Sequence, residues 1–133
     1  AEKTYEWTSR WIDQVVQSRT SDIPIILYAK APWERIRGLT KSKVQGLSVD
    51  HTIDLADARN SFPHPFALQG NLNPALMESS PEEVEKETFE LLESMHGDPG
   101  HILNLGHGIR PQARIECVQT MVQTAINFSP DKN

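Results

Sequence analysis

The chain has 133 residues, 38% hydrophobic and 23% charged, which suits a single domain with a modest core. Its 18 Asp and Glu against 13 Lys and Arg give a net charge of -5, which argues against a nucleic-acid partner, because phosphate binding needs clustered cations. One cysteine, Cys117, cannot form an internal disulfide. No run approaches the roughly 20 apolar residues of a membrane helix, and residues 1–8 lack the apolar stretch of a signal peptide, so the composition predicts a cytoplasmic protein without a membrane partner.

Between Glu2 and Ser18, Tyr5, Trp7, Trp11, Ile12, Val15 and Val16 recur at spacings of three and four, which predicts a helix with most of them on one stripe. The run Ile25 to Lys30 is apolar without polar alternation and reads as a strand buried on both faces, spanning residues 24–30. Pro32 opens a helix through Trp33, Ile36 and Leu39. A second strand is predicted over 43–50, followed by a short helix around Asp54 to Arg59, and a third strand over 65–70.

Ser80-Pro81-Glu82-Glu83 is a strong helix start, combining a capping serine, a proline at the first helical position and carboxylates at the positive end of the dipole. That helix carries Val84, Thr88, Leu91, Leu92 and Met95 and stops near Gly97-Asp98-Pro99-Gly100. Its glutamates, interrupted by Lys86, read as a solvated face. A fourth strand is predicted over 101–105. The last helix runs from Arg114 to Ile126 with Ile115, Val118, Met121, Val122 and Ala125 on its apolar stripe, and Ser129 to Asn133 form a polar tail.

One helix followed by four strand-helix units predicts an α/β fold with a parallel sheet, since parallel neighbours need crossover connections. A doubly wound domain and half of a barrel satisfy this pattern equally. All four strands finish on polar groups, Lys30, Asp50, Gly70-Asn71 and Gly106-His107, which a parallel sheet gathers at one edge. Lys30 and Asp50 taken singly read as an ion pair or a cap. His107 stands out because glycines flank it in a strand-exit loop, where an imidazole can bind or protonate a ligand.

Two motifs carry a resemblance. Leu68-Gln69-Gly70-Asn71-Leu72-Asn73-Pro74 and Asn104-Leu105-Gly106-His107-Gly108 resemble the LQGNLDP and NLGHG segments in the C-terminal part of the uroporphyrinogen decarboxylase family. Tyr28-Ala29-Lys30-Ala31 is similar to the family's FAKG, and Val49-Asp50-His51-Thr52 to its LDWT. Residues 1–133 would then be a single partial domain, the C-terminal half of a TIM (β/α)8 barrel, since a complete barrel typically needs about 250 residues.

The resemblance implies an enzyme that removes the four acetate carboxyls of uroporphyrinogen III to give coproporphyrinogen III, with no cofactor and no metal. It implies His107 as a substrate-binding residue, with Gly70, Asn71, Gly106 and Gly108 at the pocket wall. The implied partners are the anionic tetrapyrrole and either the missing N-terminal half of the barrel or a second copy, the full enzyme being a homodimer. The family's aspartate and arginine motifs have no match here, so no catalytic residue is assigned, and the chain alone is expected to be inactive.

Two departures from the family pattern stand out: Asn73 for Asp, which keeps the turn-forming side chain without charge, and His51 for Trp, which removes apolar bulk and adds a titratable ring that either approaches the pocket or, more simply, lies at the loop surface. Cobamide-dependent methyltransferases of the same fold place a zinc-binding His-x-Cys pair near residues 28 and 30, where this chain has Tyr28 and Lys30. Cys117 reads as a small core residue, and His64, His96 and His101 as ordinary loop or strand-start residues. A non-catalytic half-barrel that binds or scaffolds is the reading from a different class.

Overall fold

The computed structural model describes residues 2–38 and 43–128, so Leu39 and the polar tail lie outside the described residues. In order it holds α1 (Glu2–Ser18), β1 (Ile26–Tyr28), α2 (Trp33–Gly38), β2 (Gly46–Ser48), α3 (Leu55–Ser61), β3 (Ala67–Gln69), a 3₁₀ turn (Pro74–Glu78), α4 (Pro81–Ser94), β4 (His101–Ile102) and α5 (Ile115–Asn127). The strands form one parallel sheet, as the strand-helix alternation predicts, in the consecutive order β1-β2-β3-β4 that the barrel resemblance implies. Four consecutive parallel strands with helical crossovers are the repeating units of a (β/α) barrel, and they amount to half of its eight strands.

The local chemistry explains where the helices begin. Asp54 caps α3 by accepting from the Asp57 N–H at 2.9 Å, and Ser80 caps α4 by accepting from Glu83 N–H at 3.3 Å with Pro81 behind it. Asn73 opens the 3₁₀ turn by accepting from the Ala75 N–H, so the side chain that replaces the family's aspartate still does the turn's work. The α4 glutamates are solvated, and Lys86 pairs with Glu87 and Glu90 across the outer face.

Register sorts the strand residues into two faces. Leu27, Leu47 and Leu68 stand in one row and pack with Ile36, Leu55, Ala58, Phe62 and Met95 beneath the helices. Leu47 and Leu68 are essentially fully buried, each contributing about 2 kcal/mol of transfer free energy. A second cluster, Leu72, Met77, Val84, Leu105 and Cys117, closes the sheet under α4 and α5, and Cys117 is the core residue its composition suggests. Ile12 and Val16 fix α1 against Val44 and the base of β1.

Three expectations are corrected. β1 is covered on one face only: Leu27 packs inward while Ile26 and Tyr28 are 39% and 43% exposed, because β1 is an outer strand and, among the described residues, no helix covers the sheet's second face. The stripe on α1 is split, with Ile12 and Val16 buried but Trp7, Trp11 and Val15 exposed. On α5 it is Cys117 with Val118 and Met121 that turn inward, while Ile115 and Val122 face out. No helix among the described residues is long and apolar enough to cross a membrane.

Candidate functional site

The open face of the sheet carries Tyr28, Ser48, Gln69 and Ile102 in one row, with Ile26, Gly46 and Ala67 in the row below. By strand alternation Lys30, Asp50 and Asn104 follow on the same side at the C-terminal edge. Tyr28, Ser48, Asn104, Leu105, His107 and Ile109 line a cleft of about 400 Å³ there. A larger groove of about 640 Å³ lies between the outer surfaces of α4 and α5, away from every strand exit.

His107 reaches this cleft because two strand exits clamp its loop. Beyond β3 and β4 the chains stay paired: Leu72 bridges Leu105, the Leu72 N–H donates to the Asn104 carbonyl, and the Gly106 N–H donates to the Leu72 carbonyl at 2.8 Å. From the other side the His51 backbone lies directly on Gly106, leaving no room for a side chain at that position. The exposed His107 ring is therefore held edge-on to Tyr28, with centroids 6.1 Å apart and planes at 90°. A residue beyond the last strand thus meets one from the first strand over the open face.

The other expected wall residues have different work. Asn71 is buried, and its amide donates to the carbonyls of Asp50 at 3.0 Å and Ile53 at 2.5 Å, tying the β3 exit to the β2 exit. Gly70 adopts φ +138° with the Val49 carbonyl where a side chain would be, so it positions that latch. Gly108 lines the cleft and has open space around it. The His51 ring lines a separate concavity beside Asn71 and Leu76, with its Nδ1 buried without a hydrogen-bond partner and 3.7 Å from the Asp50 carboxylate.

Asp50 closes its own turn by accepting from the Thr52 N–H and hydroxyl, which is the cap-like role one of its readings allows. Burial pushes its carboxyl up, but the Thr52 bonds and the charges of His51 and Lys30 outweigh this and leave it below the usual carboxylate range. Tyr28 moves the other way: burial and then the Asp50 carboxylate raise its phenol, so it stays protonated as a donor. Tyr28, Ser48 and Asn104 are cleft residues that the motif reading did not select. Tyr28 and Asn104 stand first in the FAKG-like and NLGHG-like segments, and the strand period, which puts 28, 48 and 104 on the face shared with His107, is the signal that could have found all three.

The remaining histidines serve structure. His101 Nε2 meets the Gly70 carbonyl at 2.9 Å, His96 lies edge-on to Phe128, and His64 is 3.4 Å from Asp98. Among the described residues no group of three or more His, Cys, Asp or Glu is arranged to hold a metal ion.

Comparison with known proteins adds the context of this edge. The family model described as uroporphyrinogen decarboxylase (URO-D) matches residues 2–128. A uroporphyrinogen decarboxylase of Alcanivorax borkumensis is 32% identical over 134 residues, covering 97% of this chain and 38% of the relative. The one of Ruthia magnifica is 36% identical over 107 residues, covering 80% and 31%, and that of Coxiella burnetii 34% identical over 125 residues, covering 93% and 35%. This chain therefore spans roughly a third of the length of these curated relatives. Among solved structures, a methyltransferase from Methanosarcina mazei aligns with a TM-score of 0.72 at 21% identity, over 87% of this chain and 34% of that one, a likeness of fold.

Proposed function

The chain belongs to the uroporphyrinogen decarboxylase family, and from that premise we propose that the protein carrying it decarboxylates the four acetate side chains of uroporphyrinogen III to give coproporphyrinogen III. Residues 1–133 act in this reading as the C-terminal half of the barrel, and a segment outside them supplies the other half in a cytoplasmic enzyme that works as a homodimer. The observation that carries the reading is the clamped His107 loop over the open face, in a chain matched by the family model over residues 2–128.

The chemistry requires little of a cofactor. Protonation of a pyrrole ring carbon makes the ring electron-poor. The bond between the acetate methylene and its carboxyl then breaks, carbon dioxide leaves, and the electron pair flows into the ring to neutralise it. A proton added at the methylene carbon yields the methyl group, and loss of the proton first placed on the ring carbon restores the aromatic pyrrole, so that one proton is taken up for each carbon dioxide released. The protein's part is orientation and control of charge around an anionic macrocycle. His107, edge-on to Tyr28 and exposed at the strand exits, is suited to donate a hydrogen bond to a substrate carboxylate.

The test is anaerobic turnover of uroporphyrinogen by the protein expressed from its complete reading frame, with products separated by chromatography. Conversion is expected. His107→Ala should reduce turnover or affinity by about tenfold or more while leaving the melting temperature nearly unchanged, since an exposed loop imidazole has few packing obligations. A protein that binds porphyrins without losing carbon dioxide would instead establish the non-catalytic binding reading.

A further inference from the structure

Two polar side chains of the cleft, Asn104 and Ser48, have an oxygen engaged as acceptor and a donor left free. Asn104 turns its carbonyl oxygen back onto the Leu105 N–H at 2.8 Å, and since a backbone N–H can only be met by an oxygen, the amide's two N–H donors are left over. Gln69 donates to the Ser48 hydroxyl oxygen at 3.2 Å, which leaves the serine proton free. Tyr28, a protonated phenol 43% exposed, holds its ring edge-on to His107 at the same cleft. The Asp50 carboxylate, the anion that acts on Tyr28, is itself faced by Lys30 and lies 3.7 Å from the His51 ring.

We infer that this cleft is a carboxylate subsite, in which the Asn104 amide, the Tyr28 phenol and the Ser48 hydroxyl donate together with His107 to a single ligand carboxylate. A carboxylate offers about four acceptor positions, which four donor side chains from β1, β2 and the β4 exit can fill. The inference rests on the decarboxylase reading for the carboxylate's source, an acetate side chain of the tetrapyrrole. Tyr28 is then more than a variant of phenylalanine: its hydroxyl adds one donor to this subsite.

Two variants test it in the protein expressed from its complete reading frame. Asn104→Asp keeps the oxygen that accepts from Leu105 and replaces the donors by a carboxylate oxygen. Tyr28→Phe removes one donor and changes no charge. Uroporphyrin I, a fluorescent octacarboxylate, is titrated by quenching, and acetate is titrated while the His107 imidazole is followed by NMR, with circular dichroism reporting the fold. Asn104→Asp should weaken uroporphyrin binding about tenfold or more and Tyr28→Phe severalfold, and both should suppress the acetate-induced shift at His107.

If acetate moves the His107 signal and the variants abolish this, while uroporphyrin does not bind at all, the subsite stands and the tetrapyrrole reading falls. If both folded variants bind uroporphyrin as tightly as the parent, the subsite is overturned and the decarboxylase reading is untouched. Should Asn104→Asp fail to fold, Tyr28→Phe alone decides.

Discussion

Gly106 and Gly108 flank the same histidine and look equivalent as letters, yet their surroundings differ. A side chain at Gly106 would collide with the backbone nitrogen, Cα and Cβ of His51, and none of these can retreat without unlatching the turn that Asn71 holds through the Asp50 and Ile53 carbonyls. A side chain at Gly108 would meet nothing within 4 Å, and its backbone is not in a left-handed region. Gly106→Ala should therefore cost about 3 kcal/mol or more in urea unfolding, while Gly108→Ala should stay within about 0.5 kcal/mol. Equal destabilisation by the two would mean that loop flexibility, and not the contact with His51, is what glycine supplies here. The sequence could show that the loop was special. It could not show which glycine bears the contact, because the contact is with a residue 55 positions away.

Between elements, the opposite edge of the sheet is held by one guanidinium. Arg59, in the last turn of α3, donates to Asp98 from Nε at 2.6 Å and from a terminal nitrogen at 3.1 Å, and also to the carbonyls of Phe62 and Phe66. It thereby joins the end of α3, the entry to β3 and the turn before β4. Burial pushes the Asp98 carboxyl up, but the Gly100 N–H, the Arg59 guanidinium and His64 together draw it below the usual carboxylate range. A carboxyl with a lowered folded pKa stabilises the protein above its unfolded pKa and loses that contribution as pH falls through the folded one. Stability should therefore decline on acidification below about pH 4, and Asp98→Asn should both cost about 3 kcal/mol at neutral pH and flatten this decline, as acid titration of the melting temperature would reveal. An unchanged acid slope in the variant would remove Asp98 from the account. Strand direction was legible because apolar runs alternated with capped helices, while the strand order came only with the barrel resemblance, since a doubly wound sheet fits the same alternation. Strand lengths were not: the run over 24–30 contributes only Ile26–Tyr28 to the ladder, since apolar residues also continue past the last ladder hydrogen bond to pack on α1. Nor was the Arg59–Asp98 pair, whose members sit 39 residues apart in segments that read only as a helix end and a turn.

For the whole molecule, the distribution of surface carries the argument. β1 and β4 are the outer strands of the sheet, and its second face shows Ile26, Tyr28 and Ile102 at about 40% exposure, while Trp7 and Trp11 project from α1 beside β1. Apolar groups along open sheet edges favour association. The proposed subsite approaches a ligand from the side of these four strands alone, whereas decarboxylating a tetrapyrrole requires the macrocycle to be held on several sides and the developing charge to be stabilised. Misplacement by a single ångström can cost about a hundredfold in rate, and an absent wall costs far more. The 133-residue polypeptide produced by itself should consequently form coproporphyrinogen no faster than buffer does, and light scattering should report a mass above that of one chain. The complete reading frame, assayed beside it under the same anaerobic conditions, should turn over. Steady coproporphyrinogen formation by the isolated polypeptide, abolished by His107→Ala, would show that these four strands and their cleft suffice, and the assignment of the remaining wall to a segment outside them would fail.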